Sequence, residues 1–107
     1  MAGRYLTALV AVVLFLGSAL AHDVGPGSWI RNGHYVSPLD GAHCCGEHDC
    51  FALAADDVRE TAGGYFIRSL EEFVPAREVQ WSRDGKYWRC RKADGTRRCF
   101  FAPPPAA

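Results

Sequence analysis

The chain has 107 residues, five cysteines, and equal numbers of acidic and basic residues, so its formal net charge at pH 7 is zero. This length holds one small domain and excludes a second. Since so small a core supplies only a few kcal/mol of net stability, covalent cross-links are expected.

The first 21 residues have the pattern of an export signal peptide. Arg4 gives a positive start, residues 6–16 form an apolar run, and residues 17–21 end in small side chains where signal peptidase cuts. The run is shorter than the roughly 20 residues of a membrane span, so we expect cleavage after Ala21 and no remaining transmembrane span. All five cysteines follow the cut. A periplasmic or secreted address is therefore predicted, where disulfides persist.

Composition divides the remaining chain into three parts. Residues 22–43 are rich in Gly, Pro and Ser and are predicted to form an extended arm. Residues 44–102 are predicted to form a small disulfide-stapled β domain, and residues 103–107 a Pro/Ala-rich tail that frays. The side chains expected to hold the arm against the core are Trp29, Ile30, Tyr35 and Val36.

Short β-rich runs between turn residues predict a mainly β fold of antiparallel hairpins or a meander, with at most one short helical turn. Residues 58–61 and 65–68 flank Ala62-Gly63-Gly64 and are predicted to form a hairpin. The helical turn is expected at residues 75–79, where Pro75 suits the first helical position.

The dipeptide Asp94-Gly95 predicts a C-terminal hairpin. A two-residue loop there puts Arg91 opposite Arg98, and Cys90 opposite Cys99 in a non-hydrogen-bonded pair. The Cα atoms of such a pair approach closely enough for a disulfide, so a Cys90–Cys99 bridge is expected. The same register predicts a buried face of Trp88, Cys90, Cys99 and Phe101, and a solvent-facing side of Arg89, Arg91, Arg98 and Phe100.

A further turn signal lies at Asp84-Gly85, where a two-residue loop would place Trp81 opposite Trp88. A three-residue loop with a bulge also suits this sequence, and less strongly Asp94-Gly95, and it would shift the register by one residue. The side chains expected to form much of the core are Trp81, Trp88, Phe101 and Tyr65.

Three thiols and two imidazoles are concentrated in residues 42–50. One interpretation is structural: Cys44 or Cys45 bonds Cys50, with Cys45–Cys50 expected, or one of the two reaches the hairpin, and one of the five cysteines stays unpaired. Fifteen connectivities remain open, and the odd thiol allows either a monomer or a disulfide-linked dimer. The alternative is a site for a zinc or copper ion, although paired Cys-x-x-Cys spacing is missing. Its ligands would come from His43, Cys44, Cys45, His48 and Cys50.

Charge is spread unevenly along the chain. Residues 22–82 carry ten acidic residues and four arginines, whereas residues 83–98 carry seven basic and two acidic residues. The basic stretch either meets an anionic partner or faces the acidic half of the same molecule. It lacks a recognisable nucleic-acid-binding motif, so no nucleic-acid partner is expected.

These features favour an exported, non-catalytic binding or structural module of the cell envelope, with an unknown envelope component as partner. Its expected contact surface is Arg89, Arg91, Arg98 and Phe100. No cofactor is expected, and the alternative function is a periplasmic zinc- or copper-binding protein. No catalytic constellation is found, because the serines lack a nucleophile motif and the adjacent acids Asp56-Asp57 and Glu71-Glu72 would point to opposite faces of a strand.

Four patterns together resemble a group of short exported proteins of Gram-negative bacteria, mainly alphaproteobacteria. They are Cys44-Cys45-Gly46 with Asp49-Cys50, Val58-Arg59-Glu60-Thr61 with Gly64-Tyr65, Ser82-x-Asp84-Gly85-x-Tyr87-x-x-Cys90, and Arg98-Cys99-Phe100-Phe101-x-Pro103-Pro104. Where the group has Ser-Pro-Asp-Gly, this chain has Ser-Arg-Asp-Gly. The resemblance implies a periplasmic or secreted address and a common small fold over residues 44–104, and it supplies no catalytic residues.

Overall fold

A computed structural model describes residues 25–44 and 49–105. It confirms the predicted mainly β fold, and the described residues contain seven strands and one short α-helix. The elements in chain order are α1 (Ser28–Asn32), β1 (Cys50–Leu53), β2 (Val58–Thr61), β3 (Gly64–Ile67), β4 (Glu72–Pro75), β5 (Val79–Trp81), β6 (Tyr87–Arg91) and β7 (Arg97–Ala102). The predicted signal peptide lies outside the described residues. Within them, no helix is both long enough and apolar enough to cross a membrane.

The strands form two sheets. The first has four strands in the order β1-β6-β7-β5, and the second has three in the order β2-β3-β4. All neighbouring strands are antiparallel except β5 and β7, which are parallel. Single-turn 3-10 helices at Ala55–Asp57 and Ala76–Glu78 precede β2 and β5. The second of these confirms the predicted helical turn, which begins at Ala76, with Pro75 as the extended residue before it.

The three-stranded sheet contains the first predicted hairpin. Thr61 lies opposite Gly64, so Ala62 and Gly63 form a two-residue loop between β2 and β3. Gly64 has a φ of 153°, and a Cβ there would overlap the carbonyl oxygen of Val74 in β4. The close approach of β3 and β4 at this point therefore requires glycine.

The C-terminal hairpin has the predicted Cys90–Cys99 strand pairing, but its loop is longer than the predicted two residues. Cys90 lies opposite Cys99, as expected. Lys92 donates its N–H to the Thr96 carbonyl oxygen at 2.8 Å, closing a loop of three residues, 93–95. This is the bulged alternative that the Asp-Gly sequence allows.

A β-bulge restores the register that the longer loop would shift. The last loop residue, Gly95, has a φ of 87°, the left-handed conformation that three-residue hairpin loops favour. The predicted Arg91–Arg98 pair is wrong, because Arg91 lies opposite Arg97. Arg98 is the extra residue, and beyond it the strands pair as expected.

The hairpin predicted at Asp84-Gly85 does not form. Strand β5 pairs with β7 in parallel, so β7 lies between β5 and β6. Trp81 therefore lies opposite Ala102 and not opposite Trp88. Its side chain is 50% exposed and does not join the core. The physical reason is that a turn signal fixes a change of chain direction without fixing which strands become neighbours.

Both faces of the four-stranded sheet are buried. Facing the arm, one cluster contains Ile30, Cys44, Cys50, Trp88, Cys90, Cys99 and Phe101. Facing the second sheet, the other contains Val58, Tyr65, Ile67, Val74, Phe100 and Ala102. The expected core positions of Trp88, Phe101 and Tyr65 are thus confirmed. The expected solvent-facing side of the hairpin is wrong for Arg89 and Phe100, which the second sheet covers.

The arm packs against the first cluster but is not extended throughout. Residues 28–32 form α1, where an extended chain was predicted. Ile30 is buried, and the rings of Trp29 and Tyr35 meet Phe101 edge-on at centroid distances of 5.0 and 5.3 Å. Val36 stays exposed, so three of the four expected anchors hold the arm.

Candidate functional site

The disulfides connect elements that are distant in sequence. Cys44 bonds Cys99, and Cys50 bonds Cys90, over separations of 55 and 40 residues. The predicted Cys90–Cys99 bridge is therefore wrong, and so is the predicted partner of Cys50. The reason is that β1 pairs with β6 and puts Cys50 directly opposite Cys90. The alternative that Cys44 or Cys45 reaches the hairpin is confirmed for Cys44. Cys45 itself lies outside the described residues.

The disulfides also exclude a soft-metal site with the predicted set of ligands. Cys44 and Cys50 are oxidised and have no thiolate to offer an ion. Of the other expected ligands, His43 is described, whereas Cys45 and His48 are outside the described residues. Among the described residues, no group of three or more His, Cys, Asp or Glu side chains could hold a metal ion.

The predicted basic surface contributes two of its residues to the interior. Phe100 is fully buried between the sheets. Arg89 is 9% exposed and forms a two-pronged ion pair with Glu72 of β4, with Nε–Oε2 and Nη2–Oε1 distances of 2.9 Å. As a contact surface, the expected set is wrong, because its central side chains bind another part of the same molecule.

The pair belongs to an ion cluster of two carboxylates and two guanidinium groups, which we call the intersheet cluster: Glu72, Glu78, Arg89 and Arg97. Arg97 bridges the two acids, with Nη1 3.1 Å from Glu72 and Nη2 2.8 Å from Glu78. Every member is mostly buried, the most exposed side chain being Glu72 at 23%. Acids of the acidic region 22–82 thus neutralise bases of the C-terminal hairpin, the alternative that the charge pattern left open.

Burial and ion pairing shift the pKa of the Glu72 carboxyl group in opposite directions. Desolvation alone would raise the pKa of its carboxyl group. The hydrogen bonds and positive charges of Arg89 and Arg97 outweigh that effect and hold the pKa below its usual value. The cluster therefore keeps Glu72 ionised in the folded protein and contributes to holding β4 against the hairpin.

The other two predicted surface residues have separate environments. Arg91 is exposed, and its guanidinium carbon lies 4.6 Å from the centre of the Phe51 ring on β1, a cation–π contact. Arg98 is half-buried, and its carbonyl oxygen accepts the Ser37 hydroxyl at 2.6 Å. The structure thus leaves Arg91 as the exposed member of the expected set.

A row of side chains on the outer face of the three-stranded sheet was not predicted. Arg59, Phe66 and Phe73 are cross-strand neighbours on β2, β3 and β4, and we call them the outer row. Phe73 is 48% exposed, and Arg59 stacks over the Phe66 ring at 5.6 Å from its centre. The alternation of Tyr65, Phe66 and Ile67 is the sequence signal that could have found it, since neighbouring residues on a strand face opposite sides.

Asp84 joins the arm to the bend between β5 and β6. Its carboxylate accepts the indole N–H of Trp29 at 3.1 Å and that of Trp88 at 3.0 Å. It also accepts the backbone N–H of Lys86 at 3.1 Å, which shapes the bend. One carboxylate therefore links helix α1, the bend and the core strand β6.

Comparison with protein-family models, curated proteins and solved structures finds no match for this chain. The resemblance to short exported proteins consequently stays a prediction. The two disulfides fit an oxidising compartment.

Proposed function

We propose that the protein is an exported, non-catalytic binding or structural module of the cell envelope, and that its contact surface is the outer row. The signal-peptide pattern of residues 1–21 supports export. The two disulfides are compatible with it, because they need an oxidising environment to form and persist.

The observation that carries the proposal is the contrast between the two faces of the three-stranded sheet. The inner face supplies Val58, Ile67 and Val74 to the core, so folding explains those side chains. Folding gives no comparable reason for the outward Phe73, which leaves half of its ring in water. Exposed apolar area of this kind beside a cation is characteristic of an interaction surface.

Arg59 indicates the chemistry of the partner. Its guanidinium lies over Phe66, and among the described residues no carboxylate pairs with it. A stacked guanidinium keeps its in-plane N–H groups available for a carboxylate or phosphate. The row therefore fits an envelope component that presents an anionic group beside an apolar surface.

Cosedimentation with isolated envelope material tests the proposal. Oxidised wild-type protein is mixed with purified peptidoglycan sacculi and, separately, with outer-membrane vesicles of a Gram-negative bacterium. Phe73→Ser and Arg59→Glu are each expected to weaken binding at least tenfold to whichever material the wild type binds. The matched control is Leu39→Ser, which removes an equally exposed apolar side chain, 51% accessible, from the arm.

Circular dichroism of the variants separates lost binding from lost folding, and both variants are expected to give the wild-type spectrum because the altered side chains face outward. Equal binding by Phe73→Ser, Arg59→Glu and the wild type would overturn the outer row as the contact surface. Failure of the wild type to bind either material would overturn the envelope-binding function.

A further inference from the structure

Two exposed histidines face each other near the Cys44–Cys99 disulfide. The ring centres of His34 and His43 are 6.4 Å apart, and the ring planes meet at 67°. Both residues are exposed. His34 lies nine residues before His43 in the sequence.

We propose that His34 and His43 together form a binding site for a divalent transition-metal ion, with Cu²⁺ preferred over Zn²⁺. An imidazole nitrogen binds zinc at about 2.0–2.1 Å, which puts the ring centre roughly 3.2 Å from the ion. Two imidazoles sharing one ion therefore have centres about 5–6 Å apart. The observed separation exceeds this range slightly, and rotation of the exposed His34 side chain is enough to close it.

The backbone holds the two residues in place before any ion binds. Between them the chain reverses, with Val36 bridged to His43 and the Cys44 N–H donating to the Tyr35 carbonyl oxygen at 2.9 Å. The Cys44–Cys99 disulfide fixes the residue after His43. Little backbone ordering is thus needed on binding, which favours affinity.

His34 has a backbone conformation that is uncommon for a residue with a side chain. Its φ is 55°, in the left-handed region, where histidine is found more often than most residues. Its N–H donates to the Arg31 carbonyl oxygen at 3.2 Å, so the end of helix α1 sets this geometry. The helix end thereby brings the His34 ring to His43.

The choice of metal follows from the donor set. Four cysteines are oxidised, so the described part of this region offers imidazole nitrogen rather than thiolate. Neutral imidazole suits Cu²⁺ and Zn²⁺, and Cu²⁺ binds a given nitrogen site more tightly than Zn²⁺. Two protein ligands leave the other coordination positions to water, so the proposed site takes up and releases its ion without unfolding the protein. This proposal is independent of the outer row and of envelope binding.

The test is a calorimetric titration of the full oxidised chain, with Cys45 alkylated, using CuCl2 and ZnCl2 as separate probes. His34→Asn removes the imidazole while keeping a residue that tolerates left-handed φ, and His43→Gln removes the second imidazole. Each variant is expected to bind Cu²⁺ at least tenfold more weakly than the wild type. His48→Gln is the control and is expected to keep wild-type affinity.

A second readout locates the ion directly. Adding Zn²⁺ to the wild type is expected to shift the imidazole NMR signals of His34 and His43 together. Wild-type affinity in both His34→Asn and His43→Gln would overturn the site, as would an equal loss in His48→Gln, which would place the ion in the cysteine-rich loop. Amide NMR spectra unchanged away from residues 31–44 show that the variants are folded.

Discussion

Cys90 and Cys99 lie opposite each other on β6 and β7, yet each is bonded to a cysteine from outside that hairpin. Cys50, Cys90 and Cys99 occupy neighbouring strands in one row, so Cys90 has a cysteine on either side. Cys44 comes from the arm and bonds Cys99. The disulfides therefore tie the arm and the edge strand β1 to the hairpin, rather than the hairpin to itself.

This connectivity predicts a specific peptide map. Alkylation of the denatured, unreduced chain is expected to label one thiol, at Cys45. Trypsin separates Cys90 from Cys99 but leaves Cys44 and Cys50 on one peptide, so cleavage after Glu47 by a glutamate-specific protease is also needed. The map is expected to show Cys44 linked to Cys99 and Cys50 linked to Cys90. A peptide joining Cys90 to Cys99 would contradict the structure.

Paired removal of each disulfide tests its contribution to stability. The Cys50–Cys90 loop lies inside the Cys44–Cys99 loop, so with one bridge intact the other closes only a short additional loop. Cys44→Ala/Cys99→Ala and Cys50→Ala/Cys90→Ala are therefore each expected to lower the free energy of unfolding by about 3 kcal/mol. Urea unfolding measures both losses. A loss confined to one pair would show that the other bridge does not constrain the unfolded chain.

Stability is predicted to depend on the ionisation of Glu72. Its pKa is lowered in the folded state from a reference value of 4.5, so its stabilising effect is complete above that value and is lost as pH falls through the lower, folded pKa. Glu72→Gln is expected to lower the free energy of unfolding by about 2 kcal/mol at neutral pH. The difference from the wild type is expected to shrink as the solution is acidified below the reference value.

Urea unfolding of the wild type and Glu72→Gln between pH 3 and 7 measures this effect. Glu60→Gln is the control, because Glu60 is an exposed acid on the same sheet and makes no ion pair with another described residue. Parallel stability curves for the wild type and Glu72→Gln would exclude the proposed role of the intersheet cluster.

Local features of the fold were predictable from the sequence. The Ala62-Gly63 loop, the Cys90–Cys99 register and the helical turn after Pro75 each depend on residues close together in the chain. Turn chemistry and side-chain alternation are sufficient to define such features.

The non-local features were not predictable in the same way. Nothing around Cys50 indicates that β1 would pair with β6, so its disulfide partner could not be identified. The positive residues of the hairpin suggested a solvent-facing side, but Glu72 lies on another sheet and neutralises Arg89 there. Packing between distant segments thus decided both the disulfides and the surface available for binding.

The contact between Asp84 and two indoles predicts that this side chain holds the arm. Asp84→Ala leaves the indole N–H groups of Trp29 and Trp88 without this acceptor. We expect the free energy of unfolding to fall by about 1–3 kcal/mol. Asp84→Asn keeps one carbonyl oxygen and should lose less. Trypsin is expected to cut after Arg31 faster in Asp84→Ala, since the neighbouring Trp29 contact is lost. Unchanged stability and cleavage would contradict the assigned role.

Two adjacent glycines in the first hairpin are predicted to respond differently to the same substitution. A Cβ at Gly64 would overlap the Val74 carbonyl oxygen, and the φ of 153° is also unfavourable for alanine. Because β3 and β4 would have to separate, Gly64→Ala is expected to lower the free energy of unfolding by about 3 kcal/mol or more. A Cβ at Gly63 would meet only the Phe73 ring, at 3.6 Å, an ordinary contact. Gly63→Ala is therefore the matched control, and it should lower the free energy of unfolding in urea by less than about 1 kcal/mol. Equal losses at both positions would show that β3 and β4 do not approach each other as closely as in the structure.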